Sequence, residues 1–169
     1  LLNTLDSYTT GEVNAASVTN LTGTDSDKAT ARASAGIINL LSDDSSDIND
    51  TAANLVNYNA SDLNAAGTVT ATTAATAAQA TQLAAFTKAI VYSITDTASN
   101  ITAAVGAGHN EAVNITATTA ATVAQRDAIE AATNSGANTY DITDSAVNIA
   151  VAGQAKVATG GTITANTAA

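Results

Sequence analysis

The sequence predicts an α/β repeat fold, a solenoid of ~23–25-residue strand–helix coils in which a parallel sheet is lined by helices. Three observations predict it. YSITDTASNI around Asp96 returns 48 residues later as YDITDSAVNI around Asp144. TVTATTAATAAQ, from Thr68 to Gln79, returns 46 residues on as NITATTAATVAQ, from Asn114 to Gln125. The hydrophobic fraction is 46%, yet aromatic residues are only 3%, so the core is built of Ala, Val and Ile. Repetition at this spacing is the signature of stacked supersecondary units, and an alanine core demands close, regular backbone approach, whereas a globular enzyme of this length buries more large side chains.

Each 46–48-residue unit divides into two similar halves. Placing Asp96 on Thr73 and Asp144 on Thr119 aligns Tyr92 with Val69 and Tyr140 with Ile115. Every half opens on alternating apolar residues: Val69/Ala71, Tyr92/Ile94, Ile115/Ala117, Tyr140/Ile142 and Ile163/Ala165. Period-two alternation with β-branched residues reads as a strand with one buried face. Val69, Tyr92, Ile115, Tyr140 and Ile163 are therefore the expected inward strand positions. The spacing then becomes helical, with Ala77/Leu83/Phe86 matching Val123/Ile129/Ala132, and Ala98/Ile101 matching Ala146/Ile149 and Ala52/Leu55. Asp50, Asp96 and Asp144 sit where strand gives way to helix, where a carboxylate accepts free first-turn amides. Thr72 and Thr118, or their neighbours, fill that role in the other halves.

Strands joined through helices run parallel. With Leu21, Ile48 and the strand-like start LLNTLDSY included, about seven coils are visible, rising roughly 30 Å. The expected organisation is a single solenoid over 1–169, with divergent repeats in 1–67 and clear ones in 68–169. An all-β solenoid is the alternative, disfavoured because TTAATAAQATQLAAFTKA is rich in helix formers. Neither end reads as a polar cap, so either continuation of the same polypeptide or head-to-tail stacking into a homopolymer is expected. The absence of methionine implies a processed product or a segment of a longer chain.

A net charge of -10 argues against nucleic acid and anionic membrane surfaces as partners. No apolar run approaches the ~18 residues of a membrane span, so membrane insertion is not expected. The chain contains no cysteine, which excludes disulfides and thiolate chemistry. The single histidine, His109 in GAGHNEAV, reads as a solvated loop residue with no catalytic partner. Serines form no triad-like motif and the glycines mark helix ends. No cofactor is expected beyond one candidate: Asp43, Asp44 and Asp47 in SDDSSDIND offer the hard oxygen ligands that calcium takes. The other reading of that segment is a solvated acidic loop. Asn54, Asn100 and Asn148 recur four residues after the aspartates, as an amide ladder would. Threonines at 70, 72, 116, 118, 162 and 164 form regular rows.

The alternation of SITDTASNI-type and ITATTAATVAQ-type segments resembles repeats of very long secreted bacterial proteins, of the haemolysin or surface-layer type. The resemblance spans Leu21 to Ala169 and is strongest from Thr68. It implies an extracellular or cell-surface structural protein (filament, sheath, surface layer or adhesin stalk) and no enzymatic role. The glycine-rich calcium nonapeptides that accompany such repeats are absent here. The alternative function is an adhesin or surface-binding module that recognises glycan or other extracellular matter through a regular Thr/Asn face.

Overall fold

The structure, a computed structural model, describes residues 1–18, 25–40 and 47–166. Leu21, Asp43 and Asp44 lie outside the described residues. The chain forms two compact units, one of residues 1–48 and 59–69 and the other of 49–58 and 70–169.

The first unit contains α1 (Leu2–Ser7), β1 (Val13–Asn14), α2 (Asp25–Ala33), β2 (Ile37–Ile38), the start of β3 (Ile48–Asp50), α4 (Ala60–Ala65) and the start of β4 (Val69–Ala71). LLNTLDSY, expected as a strand, is the helix α1. Leu2 and Leu5 stand three apart, a helical spacing, and Leu2 packs on a small core of Ala15, Ala31 and Ile37. β1 and β2 pair in parallel, Val13 opposite Ile37.

The second unit carries the repeats. It contains α3 (Ala52–Leu55), α5 (Ala77–Leu83), β5 (Ile94–Asp96), α6 (Ala98–Ala103), α7 (Ala107–Asn110), β6 (Ile115–Ala117) and α8 (Val123–Glu130). β7 (Asn138–Thr139), β8 (Ile142–Ser145), α9 (Ala146–Ala152), α10 (Gln154–Val157) and β9 (Ile163–Asn166) follow. The molecule is thus mixed α/β. The extended reading of the alanine-rich segments fails, because α5 and α8 occupy them, each opened by a capping box. Thr76 and Gln79, and likewise Thr122 and Gln125, satisfy one another's backbone amides reciprocally.

In place of one sheet the described residues form four short ones, ordered β1-β2, β3-β4, β5-β6-β7 and β8-β9. β5-β6, β6-β7 and β8-β9 are all parallel. Single parallel bridges, Thr70 to Val91, Ala75 to Ile94 and Ala121 to Ile142, lie between them. The sheet is interrupted because residues 72–74 and 118–120 leave the strand before Ala75 and Ala121 rejoin the ladder. The register also differs from the sequence superposition. Ile94, not Tyr92, lies opposite Ile115, and Ile142, not Tyr140, lies opposite Ile163. A shift of two residues keeps every side chain on its expected face, so Tyr92 and Tyr140 remain buried although they precede their strands.

The core of this unit is small-residue packing: Ala52, Ala75, Ala77, Ala80, Ala98, Ala112 and Ala121 are buried beside Leu55, Leu83, Ile94, Ile101, Ile115, Ile129 and Ile142. Among the expected inward strand positions, Val69, Tyr92, Ile115 and Tyr140 are buried, but Ile163 is 43% exposed. Ile163 lies on β9, which has β8 as its sheet neighbour and no buried position of its own. Truncating a buried isoleucine costs ~2–5 kcal/mol. Ile115→Ala should therefore lower the urea midpoint strongly, whereas Ile163→Ala, at the equivalent position one repeat later, should cost well under ~1 kcal/mol.

Candidate functional site

Two rows of side-chain hydrogen bonds flank the strands and tie each repeat to the next. The first row acts where a strand begins. The Asp47 carboxylate accepts the Thr68 amide at 2.9 Å, and Ser93 Oγ accepts the Asn114 amide at 3.3 Å. Asn114 Oδ1 accepts the Ala137 amide at 2.9 Å, and Asp141 accepts the Thr162 amide at 2.6 Å. In each case the acceptor precedes a strand and the donor belongs to the residue before the next strand in the chain, 21 or 23 positions away.

The second row acts where a helix begins, and its polarity is reversed. The first amide of α3, on Ala52, donates to Thr73 Oγ1 at 3.2 Å. That of α5, on Ala77, donates to Asp96 Oδ2 at 3.1 Å. That of α6, on Ala98, donates to Thr119 Oγ1 at 3.0 Å, and that of α8, on Val123, donates to Asp144 Oδ2 at 3.0 Å. These amides have no partner inside their own helices, so a later repeat supplies the acceptor. Thr73, Asp96, Thr119 and Asp144 are the positions that the sequence superposition equates.

Asp96 and Asp144 do a second job through their other oxygen, one that Asp50 shares. Asp50, Asp96 and Asp144 accept the amides of Thr51, Thr97 and Ser145, and these three residues are the actual N-caps of α3, α6 and α9. Asn54, Asn100 and Asn148 do not bond to one another. Each donates its amide group to the aspartate four residues earlier, at 2.8 Å every time. The recurring asparagine is thus a local clamp on the carboxylate, because the stacking distance belongs to the backbone amides. Asp50 also accepts the Tyr58 hydroxyl at 3.2 Å. Thr72 and Thr118 do not cap helices; Thr76 and Thr122 do, as part of the TAAQ and TVAQ capping boxes.

These contacts act on titration in the expected sense. The Asn100 side chain and the Ala77 and Thr97 amides outweigh burial and hold the Asp96 carboxyl below its usual range. The Val123 amide, Asn148 and the Ser145 amide do the same for Asp144.

Asp47 is exposed, and the hydroxyl and amide of Thr68 hold its carboxyl low. Its placement is explained by the strand-start row, while Asp43 and Asp44, the other two calcium candidates, lie outside the described residues. Among the described residues no group of three or more His, Cys, Asp or Glu side chains is arranged to hold a metal ion. No helix there is long and apolar enough to cross a membrane.

His109 is not solvated. It lies in α7 with 1% of its surface exposed. The GAGHN segment reads as a loop, but the Tyr92 hydroxyl donates to the Gly108 carbonyl at 2.7 Å and pulls the segment onto the core. A Cβ on Gly108 would stand 2.6–2.7 Å from the Ala80 and Thr81 backbone, so only glycine permits this approach of α7 to α5. Burial pushes the Tyr92 hydroxyl up to about 12, with Glu111 adding to the effect.

A further polar cluster carried no sequence signal, since its members come from separate segments. The Tyr140 hydroxyl contacts Glu130 Oε1 at 2.7 Å and Thr159 Oγ1 at 2.6 Å, and Arg126 donates to Thr159 and Asp127. Lys156 bonds Asp127 at 2.8 Å, which together with Arg126 holds that carboxyl low. The cluster ties α10 and Thr159 to α8. Exposed pairs of this kind contribute little individually.

Asp96→Ala removes a shared acceptor from three donors and should cost ~1–2 kcal/mol in urea denaturation, the carboxylate being partly solvated and screened. Because the folded-state value is depressed, the Asp96 contribution is present above the unfolded value near ~3.9 and is lost as pH falls through the lower folded one. The gap between wild type and Asp96→Ala should hold from pH 7 to 5 and close in strong acid. No protein family model, no curated protein and no solved structure matches this chain.

Proposed function

We propose that this chain is a non-enzymatic structural protein whose strand–helix repeats stack as a solenoid and join head to tail into an extracellular filament, sheath or surface layer. One observation carries the reading. The same repeat positions are buried on α6 and β6 and open 48 residues later on α9 and β9. Ala98 and Ile101 of α6 are buried, with α8 packed on that helix. Their equivalents 48 residues on, Ala146 and Ile149 of α9, are exposed and half-buried. Ile115 is buried and Ile163 is not. Val147 and Val151 add to the open face, at 61% and 82% exposed.

A face of this kind fits the element that covers its twin, namely another strand–helix repeat. Supplied by a second copy, that contact is heterologous and does not close, so it extends into a fibre. The two hydrogen-bond rows would continue across such a junction without new chemistry. The acidic charge and alanine-lined core suit a repetitive secreted scaffold rather than a catalyst.

A second reading rests on the outward strand positions. Thr95, Thr116 and Thr139 lie opposite one another in successive strands, and Thr143 lies opposite Thr164. At ~4.8 Å between strands, this row of methyls and hydroxyls is the regular face that a glycan- or surface-binding module presents. Of the threonines expected from sequence, Thr70, Thr116 and Thr164 lie in strands, whereas Thr72, Thr118 and Thr162 do not.

Electron microscopy and sedimentation of the purified chain at rising concentration should reveal filaments. The double variant Val151→Lys, Ile163→Lys should abolish them while leaving the melting temperature nearly unchanged, since both sites are solvent-facing. A wild-type chain that stays monomeric at millimolar concentration contradicts assembly. Saturable binding to a glycan array by that monomer would favour the threonine face instead.

A further inference from the structure

His109 is the only histidine of the chain, and its seat does nothing for the proposed assembly. It lies on α7, the short helix that leads into β6, the central strand of the three-stranded sheet. Contacts that hold α7 in place include Gly108 against the α5 backbone, the Tyr92 hydroxyl on the Gly108 carbonyl, the Thr133 amide on Asn110 Oδ1, and the buried His109 ring. The ring is sealed from solvent beside the Ile101 and Ala104 carbonyls at the end of α6, and among the described residues neither ring nitrogen makes a hydrogen bond of good geometry.

We infer that His109 is an acid-sensitive latch: the neutral ring holds α7 on the core, and its protonation in mild acid releases α7 and loosens the second unit. The surroundings give an added charge no counter-ion. α5 and α6 carry no ionisable side chain, and neither does the 133–135 segment that bonds Asn110. The segment ahead of β5 brings Tyr92, which is protonated throughout this range, and α7 ends at Glu111. Glu111 is exposed and acts on Tyr92, while the influences on the imidazole are burial and the Ile101 and Ala104 carbonyls. The helix-end carbonyls attract a cation, but burial is the larger influence and pushes the imidazole below its usual value.

The sign follows from linkage. With the folded-state value depressed, the unfolded chain takes up a proton below pH ~6.5 that the folded chain refuses, so stability falls as pH falls. The opposite behaviour, a histidine stabilised by protonation, would strengthen the fold over the same interval. Because the chain has one histidine and no cysteine, and carboxylates titrate lower, the imidazole is the one side chain whose ordinary value lies between pH 7 and 5.5.

The test is urea unfolding of the full chain followed by far-ultraviolet circular dichroism from pH 7.5 to 5, paired with a proton NMR titration of the one imidazole. The expected result is a folded-state titration midpoint below ~6.5 and an unfolding constant that grows by up to about tenfold per pH unit between ~6.5 and that midpoint. His109→Phe should flatten that dependence. If that variant does not fold, the wild-type titration decides alone. An imidazole midpoint at or above ~6.5, or an unfolding constant that is level from pH 7 to 5.5, overturns the latch.

Discussion

Strands of two to four residues are too short to hold a parallel sheet together by backbone pairing alone. In the repeat unit of this chain, the shortfall is met by side chains that bond to the backbone of a neighbouring repeat. One row reaches forward from the residue before a strand to the amide before the next strand. The other reaches back from the start of one helix region to the first amide of an earlier helix. Because the two rows have opposite polarity, neighbouring repeats are clamped from both sides, and a slip in either direction breaks one of them. Each contact is individually modest, being at least partly open to solvent. Their number, rather than their individual strength, fixes the register.

Such clamping imposes its own demand on packing. A side chain as short as Ser, Thr, Asp or Asn reaches a neighbouring backbone only if the repeats approach closely, and alanine at the buried helix positions allows this. Ala52, Ala77 and Ala98 each follow an N-cap and are buried. Gly108 carries the same principle further, to backbone contact between α7 and α5. The same close approach buries the His109 ring, a polar side chain in a glycine-rich segment.

Much of the unit was legible from the chain because repetition superimposes residues that do the same work. Aligning Asp96 on Thr73 and Asp144 on Thr119 picks out the acceptors of the helix-start row, although the donors cannot be seen in a linear sequence. The alternation at Val69, Ile115 and Ile142 marks the buried strand face, and the two-residue shift in register left that face intact. The TAAQ and TVAQ capping boxes were readable from the spacing of Thr and Gln, but the alanine run around them obscures where the helix begins. Ala75 and Ala121, which rejoin the ladder after a jog, look like any other alanine. His109 was misread because its burial comes from Tyr92 and Gly108, one a separate segment and the other a residue type that usually ends helices.

The central claim is that side chains of a later repeat satisfy the first amides of α5, α6 and α8. Helix-start amides normally exchange freely with solvent, so residue-resolved hydrogen exchange tests it directly. The account predicts that the amides of Ala77, Ala98 and Val123 are protected on the scale of the buried strand amides. Exchange of those three at the rate of an unstructured peptide, with the strands still protected, would contradict it.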